Sequence, residues 1–226
     1  MRARVRGDEA TGLTAMTTTS YDYIRDPEEI YRRSFAAIRA EADLGDIPPD
    51  LETVVVRLIH ACGMPDIVRD LAFSIDAASR ARRALGRGAS ILVDTEMVAD
   101  GIIRSRLTTN RVLCTLGREE VRERALREAT TRSAAAVELW LPDLEGAVVA
   151  IGNAPTALFR LLELIDLGVP QPAVVLAFPV GFVGAAESKD ALAGHPAAIP
   201  FVTVRGRRGG SAMAAAAVNA LAGAPR

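Results

Sequence analysis

The chain of 226 residues reads as an α/β protein: a doubly wound, mostly parallel open sheet with helices on both faces, preceded by helical segments. Three observations predict this class. Short apolar runs, often β-branched, recur from residue 90 onward. Stretches of helical periodicity separate them, the rhythm of a sheet whose strands are joined by crossover helices. The composition, 50% hydrophobic against 24% charged, supplies enough apolar side chains to bury such strands on both sides.

Taken in order, residues 1–19 carry neither periodicity and are expected to form a flexible N-terminal extension, leaving residues 20–226 as one α/β domain. Asp26-Pro27-Glu28-Glu29 is a helix start: a capping aspartate, proline at the first helical position, then acids facing the positive end of the helix. This helix is expected to run to about Ala42. Pro49-Asp50-Leu51-Glu52 opens a second one through Cys62, stopped by Gly63 and Pro65. Residues 66–85 read as mainly helical, interrupted near Ser74, with Gly86 and Gly88 as the break.

Strands are then expected at Ile91-Leu92-Val93, Val112-Leu113-Cys114, 147–151, 173–178 and 201–204. Helices fall between and after them, at 95–100, 119–140, 155–167, 185–193 and 211–221. Strand, helix, strand repeated in this way implies right-handed crossovers. No internal repeat or second domain is visible.

Charge narrows the function. With 27 basic and 28 acidic side chains the net charge is −1, which offers no general field to nucleic acid or to an anionic membrane. No stretch of about 18 apolar residues is present and the amino terminus lacks the apolar core of a secretory signal, so the cytoplasm is the expected compartment. Cys62 and Cys114 are the only cysteines, and His60 and His195 stand far apart, so neither a metal site nor a disulfide framework is expected.

Open parallel sheets bind ligands beyond the carboxyl ends of their strands. Three glycine-bearing segments fall at those ends: residues 151–156, including Asn153; residues 178–189, ending at Lys189; and residues 205–211. Turn chemistry alone accounts for isolated glycines, but three such loops on one edge point to a site. None is a P-loop or a G-x-G-x-x-G fingerprint, which leaves a nucleotide-dependent enzyme only as a weak third reading.

The second helix says more. At about 100° per residue, Val54, Val55, Leu58, Ile59 and Cys62 share an arc of roughly 140° and make the buried face. Arg57 and His60 lie off that face, about 60° from one another. Simple solvent exposure explains such a histidine as well as chemistry does; against it, imidazole is the natural proton donor or acceptor near neutrality and its neighbour is an anion-binding guanidinium. Cys62 points elsewhere and reads as a core thiol, and His195, in Gly194-His195-Pro196, as a surface loop residue. Lys189 is the only lysine of the chain; Arg132, beside Ser133, could be helix surface or a charged clamp.

At these residues the sequence resembles the precorrin-8X methylmutase family, the precorrin isomerases of cobalamin biosynthesis. The resemblance runs from Tyr21 to about Ala222. It is carried by Tyr21 to Pro27, Ile30-Tyr31 with Arg33-Ser34-Phe35, Arg57 with His60-Ala61-Cys62-Gly63, and Glu96-Met97-Val98. Further carriers are Thr131-Arg132-Ser133-Ala134, residues 150–158 and 179–191, and Arg205-Gly206 with Gly209 to Met213. Thr95, where a small apolar residue is expected, and the unmatched residues before Ser20 are the departures.

The resemblance implies an isomerase that moves a methyl group from C-11 to C-12 in ring C of precorrin-8X, giving hydrogenobyrinic acid, with no separate cofactor. It implies His60 as the proton-exchanging residue, Ser34 and Arg57 as substrate contacts, and a homodimer with sites near the subunit boundary. A tetrapyrrole acid is a broad apolar disc rimmed by carboxylates, so its site needs apolar walls and scattered donors. Arg57, Arg132, Asn153, Lys189 and the glycine-loop amides are the candidate rim donors. A tetrapyrrole-binding or channelling protein without turnover needs the same pocket but has no use for His60.

Overall fold

The computed structural model describes residues 21–223; the expected extension over residues 1–19 lies outside them. The first described helix begins as its cap demands. The Asp26 carboxylate accepts the Glu28 N–H at 3.1 Å, and α1 spans Pro27–Glu41. A short connection leads to α2, Pro49–Cys62, which ends where Gly63 takes φ 70° and returns its N–H to the Ile59 carbonyl at 2.7 Å. The buried face of α2 is the expected one, with Val54, Val55, Leu58 and Ile59 inaccessible and Cys62 half-buried.

The next segment departs from the helical expectation over residues 66–85. A 3-10 turn over Pro65–Asp70 leads into a strand, β1, Leu71–Phe73, before α3, Ala77–Gly86. The apolar triplet Leu71-Ala72-Phe73 is extended because it pairs antiparallel with the last strand of the sheet, Leu71 opposite Val204. That pairing is reinforced by Phe201 N–H donating to Ser74 Oγ at 3.0 Å.

The remaining elements alternate. They are β2 Ile91–Val93, α4 Glu96–Gly101, β3 Val112–Cys114, α5 Glu119–Arg127, α6 Arg132–Glu138 and β4 Val148–Ile151, then α7 Pro155–Asp166, β5 Val174–Ala177, α8 Ala185–Ala193, β6 Phe201–Val204 and α9 Ser211–Leu221. One helix was expected over 119–140, whereas two form. Ala129 turns the chain at φ 48°, and the Thr131 hydroxyl accepts the Ala134 N–H at 3.1 Å, which caps α6 afresh.

The six strands lie in the order β1-β6-β5-β4-β2-β3, all parallel except β1. Alternate residues of the buried strands divide the core in two. Ile91, Val93, Val148, Ala150, Leu176 and Val202 pack under α1–α4 and α9. Leu92, Val149, Ile151, Val175 and Ala177 pack under α6–α8 with Trp140. This is the doubly wound arrangement expected from the sequence, and neighbouring strands send their chains to opposite faces at β2 against β4 and at β5 against β6, as well as at the edge pair β2 and β3.

Candidate functional site

The crevices at β2/β4 and β5/β6 are filled by the protein itself. Between β2 and β4 the buried Asp94 carboxylate accepts three backbone N–H groups, from Gly152 at 2.8 Å, Asn153 at 2.9 Å and Ala154 at 2.8 Å. Burial pushes the Asp94 carboxyl up from the usual carboxylate range, while the three amide donors favour its anion. These are the donors at the start of α7 that a phosphate would need, and they are already engaged.

Between β5 and β6 the backbone itself closes the gap. A Cβ on Gly209 would sit 2.6 Å from the Pro179 carbonyl oxygen and nearer still to that of Phe178, so only glycine fits there. Gly210 N–H donates to the Phe178 carbonyl at 2.8 Å, and Gly181 N–H to that of Arg207 at 3.2 Å. Lys189 is fully buried, its Nζ donating to the Arg208 carbonyl at 2.7 Å, and burial pushes its pKa down to about 8. The sole lysine is therefore neither a solvated side chain nor directed outward; it ties α8 to the loop before α9.

Chemistry-bearing side chains collect instead beside the sheet, on α1 and α2. Ser34 Oγ lies 2.8 Å from His60 Nδ1, and His60 is exposed. Tyr31 and Phe35 stand together on one side of it, with ring centroids 5.6 Å and 5.4 Å from the imidazole and 5.8 Å from each other, Phe35 edge to face. The Arg57 guanidinium lies over the Phe35 ring at 5.4 Å. Helical spacing explains the grouping: Tyr31, Ser34 and Phe35 are i, i+3 and i+4 on α1, and Arg57 and His60 are i and i+3 on α2.

The end of α2 is stitched to the carboxyl edge of the sheet. Asp70, shortly after α2, accepts the Arg205 N–H through its carbonyl at 2.7 Å. Arg208 forms ion pairs with Asp66 at 2.7 Å and with Asp70. His60 thus stands at the rim where the strands end, although no strand carries it.

The other expected site residues fall elsewhere. Asn153 is exposed, with its N–H on Asp94 and its carbonyl accepting from Val180 at 3.4 Å. Arg132 is exposed at the start of α6 and lines a cavity of about 440 Å³ with Arg122, Leu126 and Thr130. The adjacent Thr131 hydroxyl meets that of Thr156 on α7 at 2.8 Å, which places Arg132 beside the start of α7. His195 is a loop residue, but not a surface one: its side chain is 6% exposed, Nδ1 accepts the Ala197 N–H at 3.3 Å and Nε2 approaches Asp166.

Sequence reasoning did not single out Tyr31 and Phe35 as walls, although their place around Ser34 on one helical face was a signal. It also missed Asp94, whose partners lie 58 to 60 residues away.

Comparison with known proteins places the chain in a family. The family model for precorrin-8X methylmutase matches residues 29–224. A precorrin-8X methylmutase of Pseudomonas aeruginosa is 62% identical over 202 residues, covering 89% of this chain and 97% of the relative. A cobalt-precorrin-8 methylmutase of Salmonella typhimurium is 39% identical over 88% of this chain and 96% of its own length. The crystal structure of a precorrin-8X methylmutase from Thermus thermophilus superposes with a TM-score of 0.79 at 40% identity, covering 86% of this chain and 94% of that one. On sequence and fold together, the chain belongs to the precorrin-8X methylmutase family.

Proposed function

We propose that this chain is an isomerase of cobalamin biosynthesis that moves a methyl group from C-11 to C-12 in ring C of precorrin-8X, yielding hydrogenobyrinic acid without a separate cofactor. The observation that carries this reading is the Ser34–His60 pair on an open face beside two aromatic rings. Ser34 engages Nδ1, which leaves Nε2 as the ring nitrogen that can exchange a proton with the macrocycle. Protonation of a ring nitrogen draws electron density out of the conjugated system and lowers the barrier to the methyl shift, the general-acid role of His60. The proton returns to Nε2 as the product forms.

Ser34 acts on this reading by fixing the imidazole, and Arg57 by holding a carboxylate of the rim. Tyr31 and Phe35 supply apolar wall beside the proton donor. Arg132 and Asn153 remain rim donors on the side of α6 and α7, whereas Lys189 is assigned to holding the loop before α9, because its one hydrogen bond is internal.

The homodimer implied by the resemblance is supported by exposed aromatic side chains: Tyr31, 49% exposed beside His60, and Tyr21 and Tyr23 before α1, 76% and 63% exposed. The cytoplasm remains the proposed compartment, and no described helix is long and apolar enough to cross a membrane. Identity favours a metal-free substrate, being 62% with a relative named for precorrin-8X against 39% with one named for the cobalt form. The family match begins at residue 29, which supports reading residues 1–19 as lying outside the catalytic domain.

The test is incubation of the purified protein with precorrin-8X, read by absorption and by mass spectrometry of what is bound. Conversion to the hydrogenobyrinic acid spectrum at unchanged mass is expected. Bound but unaltered precorrin-8X would overturn the reading in favour of a carrier that channels a labile intermediate.

A further inference from the structure

α1 and α2 run antiparallel, and contacts step along the seam between them. Arg39 on α1 meets Glu52 on α2 at 2.8 Å, Phe35 meets Arg57, and Ser34 meets His60. The first is an ion pair, in which cation and anion neutralise each other; the second is not. The Arg57 guanidinium lies 5.4 Å from the centre of the Phe35 ring and makes no hydrogen bond or ion pair among the described residues. An aromatic face attracts a cation without using its N–H groups. The donor fork of Arg57 thus stays whole for a planar carboxylate, which it would not be against an acid such as Glu52.

The same ring meets the imidazole. Phe35 stands edge to face with His60, centroids 5.4 Å apart and planes at 87°, and Tyr31 packs edge to face on Phe35 in turn at 5.8 Å. Phe35 is half-buried and packed against the core, whereas Tyr31 and His60 are exposed. Of these rings it is the one the core holds in place. A single hydrogen bond from Ser34 to Nδ1 leaves the imidazole free to swing about that bond, and the edge contact with Phe35 removes this freedom.

We infer that Phe35 is a positioning residue of the reaction: one ring, anchored in the core, holds Arg57 and His60 in a fixed relation, so that a carboxylate seated on the guanidinium brings the macrocycle to the imidazole. The inference rests on the functional reading above and deepens it. Phe35 exchanges no proton and bonds no carboxylate; it couples the residue that binds to the residue that reacts. Its place one turn along α1 from Tyr31 and one residue after Ser34 lets a single helical face supply the imidazole's hydrogen-bond partner and both rings.

The experiment compares wild type, Phe35→Leu and Phe35→Tyr as full-length proteins, each alone and combined with Arg57→Gln. Spectrophotometric titration with hydrogenobyrinic acid gives affinity, turnover of precorrin-8X gives KM and kcat, and thermal melts report folding. Phe35→Met is carried alongside as a second ring-free variant, its longer chain filling the space should leucine leave the protein unfolded. Phe35→Leu is expected to weaken the acid by about 2- to 5-fold, the range of a cation–π contact at an accessible site, and to raise KM to match. It should also lower kcat by about threefold or more, as the imidazole loses its edge contact. Phe35→Tyr keeps the ring and should restore each value to within about twofold of wild type. In the Arg57→Gln background Phe35→Leu should cost no further acid affinity, because no guanidinium is left for the ring to hold. Affinity losses that multiply with that of Arg57→Gln would overturn the inference in favour of a purely structural role, as would Phe35→Tyr behaving like Phe35→Leu, or ring-free variants with native KM and kcat. Failure of the wild type to bind hydrogenobyrinic acid would overturn the functional reading itself, and the role of Phe35 with it.

Discussion

The carboxyl edge of the sheet and the α1–α2 face both gather polar groups, yet they stand in opposite states. At the edge, Asp94 is saturated by three amides, Gly209 is pressed against neighbouring carbonyls, and Lys189 is buried on a single carbonyl. On the α1–α2 face, the side chains of Ser34 and His60 hydrogen-bond only each other among the described residues, and Arg57 has an aromatic ring beneath it but no ion pair among them. A doubly wound sheet usually places its ligand in the first region. Here the backbone donors and Lys189 of that region are used internally, and side chains with unmet capacity stand on the helical pair that precedes the sheet and, at the margin of the region, at Asn153 and Arg132. On the proposed reading, free hydrogen-bonding capacity rather than position in the fold marks where substrate goes.

The sharpest way to break the contrast is Asp94→Ala. It leaves three inward-facing amides without an acceptor, each worth about 1–3 kcal/mol when buried and unmet. The unfolding free energy from denaturant titration should fall by at least about 3 kcal/mol. A loss under about 1 kcal/mol would mean that the crevice is open to water and not closed by Asp94.

Ser34→Ala probes the other region with a smaller effect. Without Oγ the imidazole loses the partner that sets its orientation, and kcat should fall about tenfold, close to 1.4 kcal/mol, with product affinity changed less than threefold. A fall in affinity at constant kcat would instead make Ser34 a direct substrate contact.

Lys189→Met tests the scaffold through pH. The folded pKa of about 8 lies below the ordinary lysine value, so between about pH 8 and 10.5 the unfolded chain binds more protons than the folded one. The contribution of Lys189 to stability therefore grows as pH rises through that window and is lost as pH falls back through 8. Thermal melts should show wild type gaining on Lys189→Met between pH 8 and 10. A constant difference would mean that Lys189 titrates as a solvated side chain.

Much of this was legible in the chain. Asp26-Pro27 and Gly63 bound the first two helices through backbone chemistry confined to a few residues, and the apolar triplets around Leu92 and Leu113 announce buried strands. What escaped depends on distant partners. Leu71-Ala72-Phe73 is a strand only because Val202 to Val204 lies beside it, and Asp94 is buried only because the amides of residues 152–154 meet it. Lys189 looked like a rim donor because its carbonyl partner, on Arg208, carries no side-chain signature. In the candidate site, His60 and Arg57 emerged from the α2 wheel, while their contacts with Ser34 and Phe35 needed α1 folded against α2.

The most direct test of the α1–α2 face as the catalytic one is a single-turnover comparison of wild type and His60→Ala with precorrin-8X, followed by absorption and by mass spectrometry of the bound macrocycle. His60→Ala should still form a coloured complex, with conversion slowed by at least about a hundredfold, the lower range for loss of a positioned acid–base group. Conversion at the wild-type rate would remove His60 from the chemistry and return the search to the sheet edge.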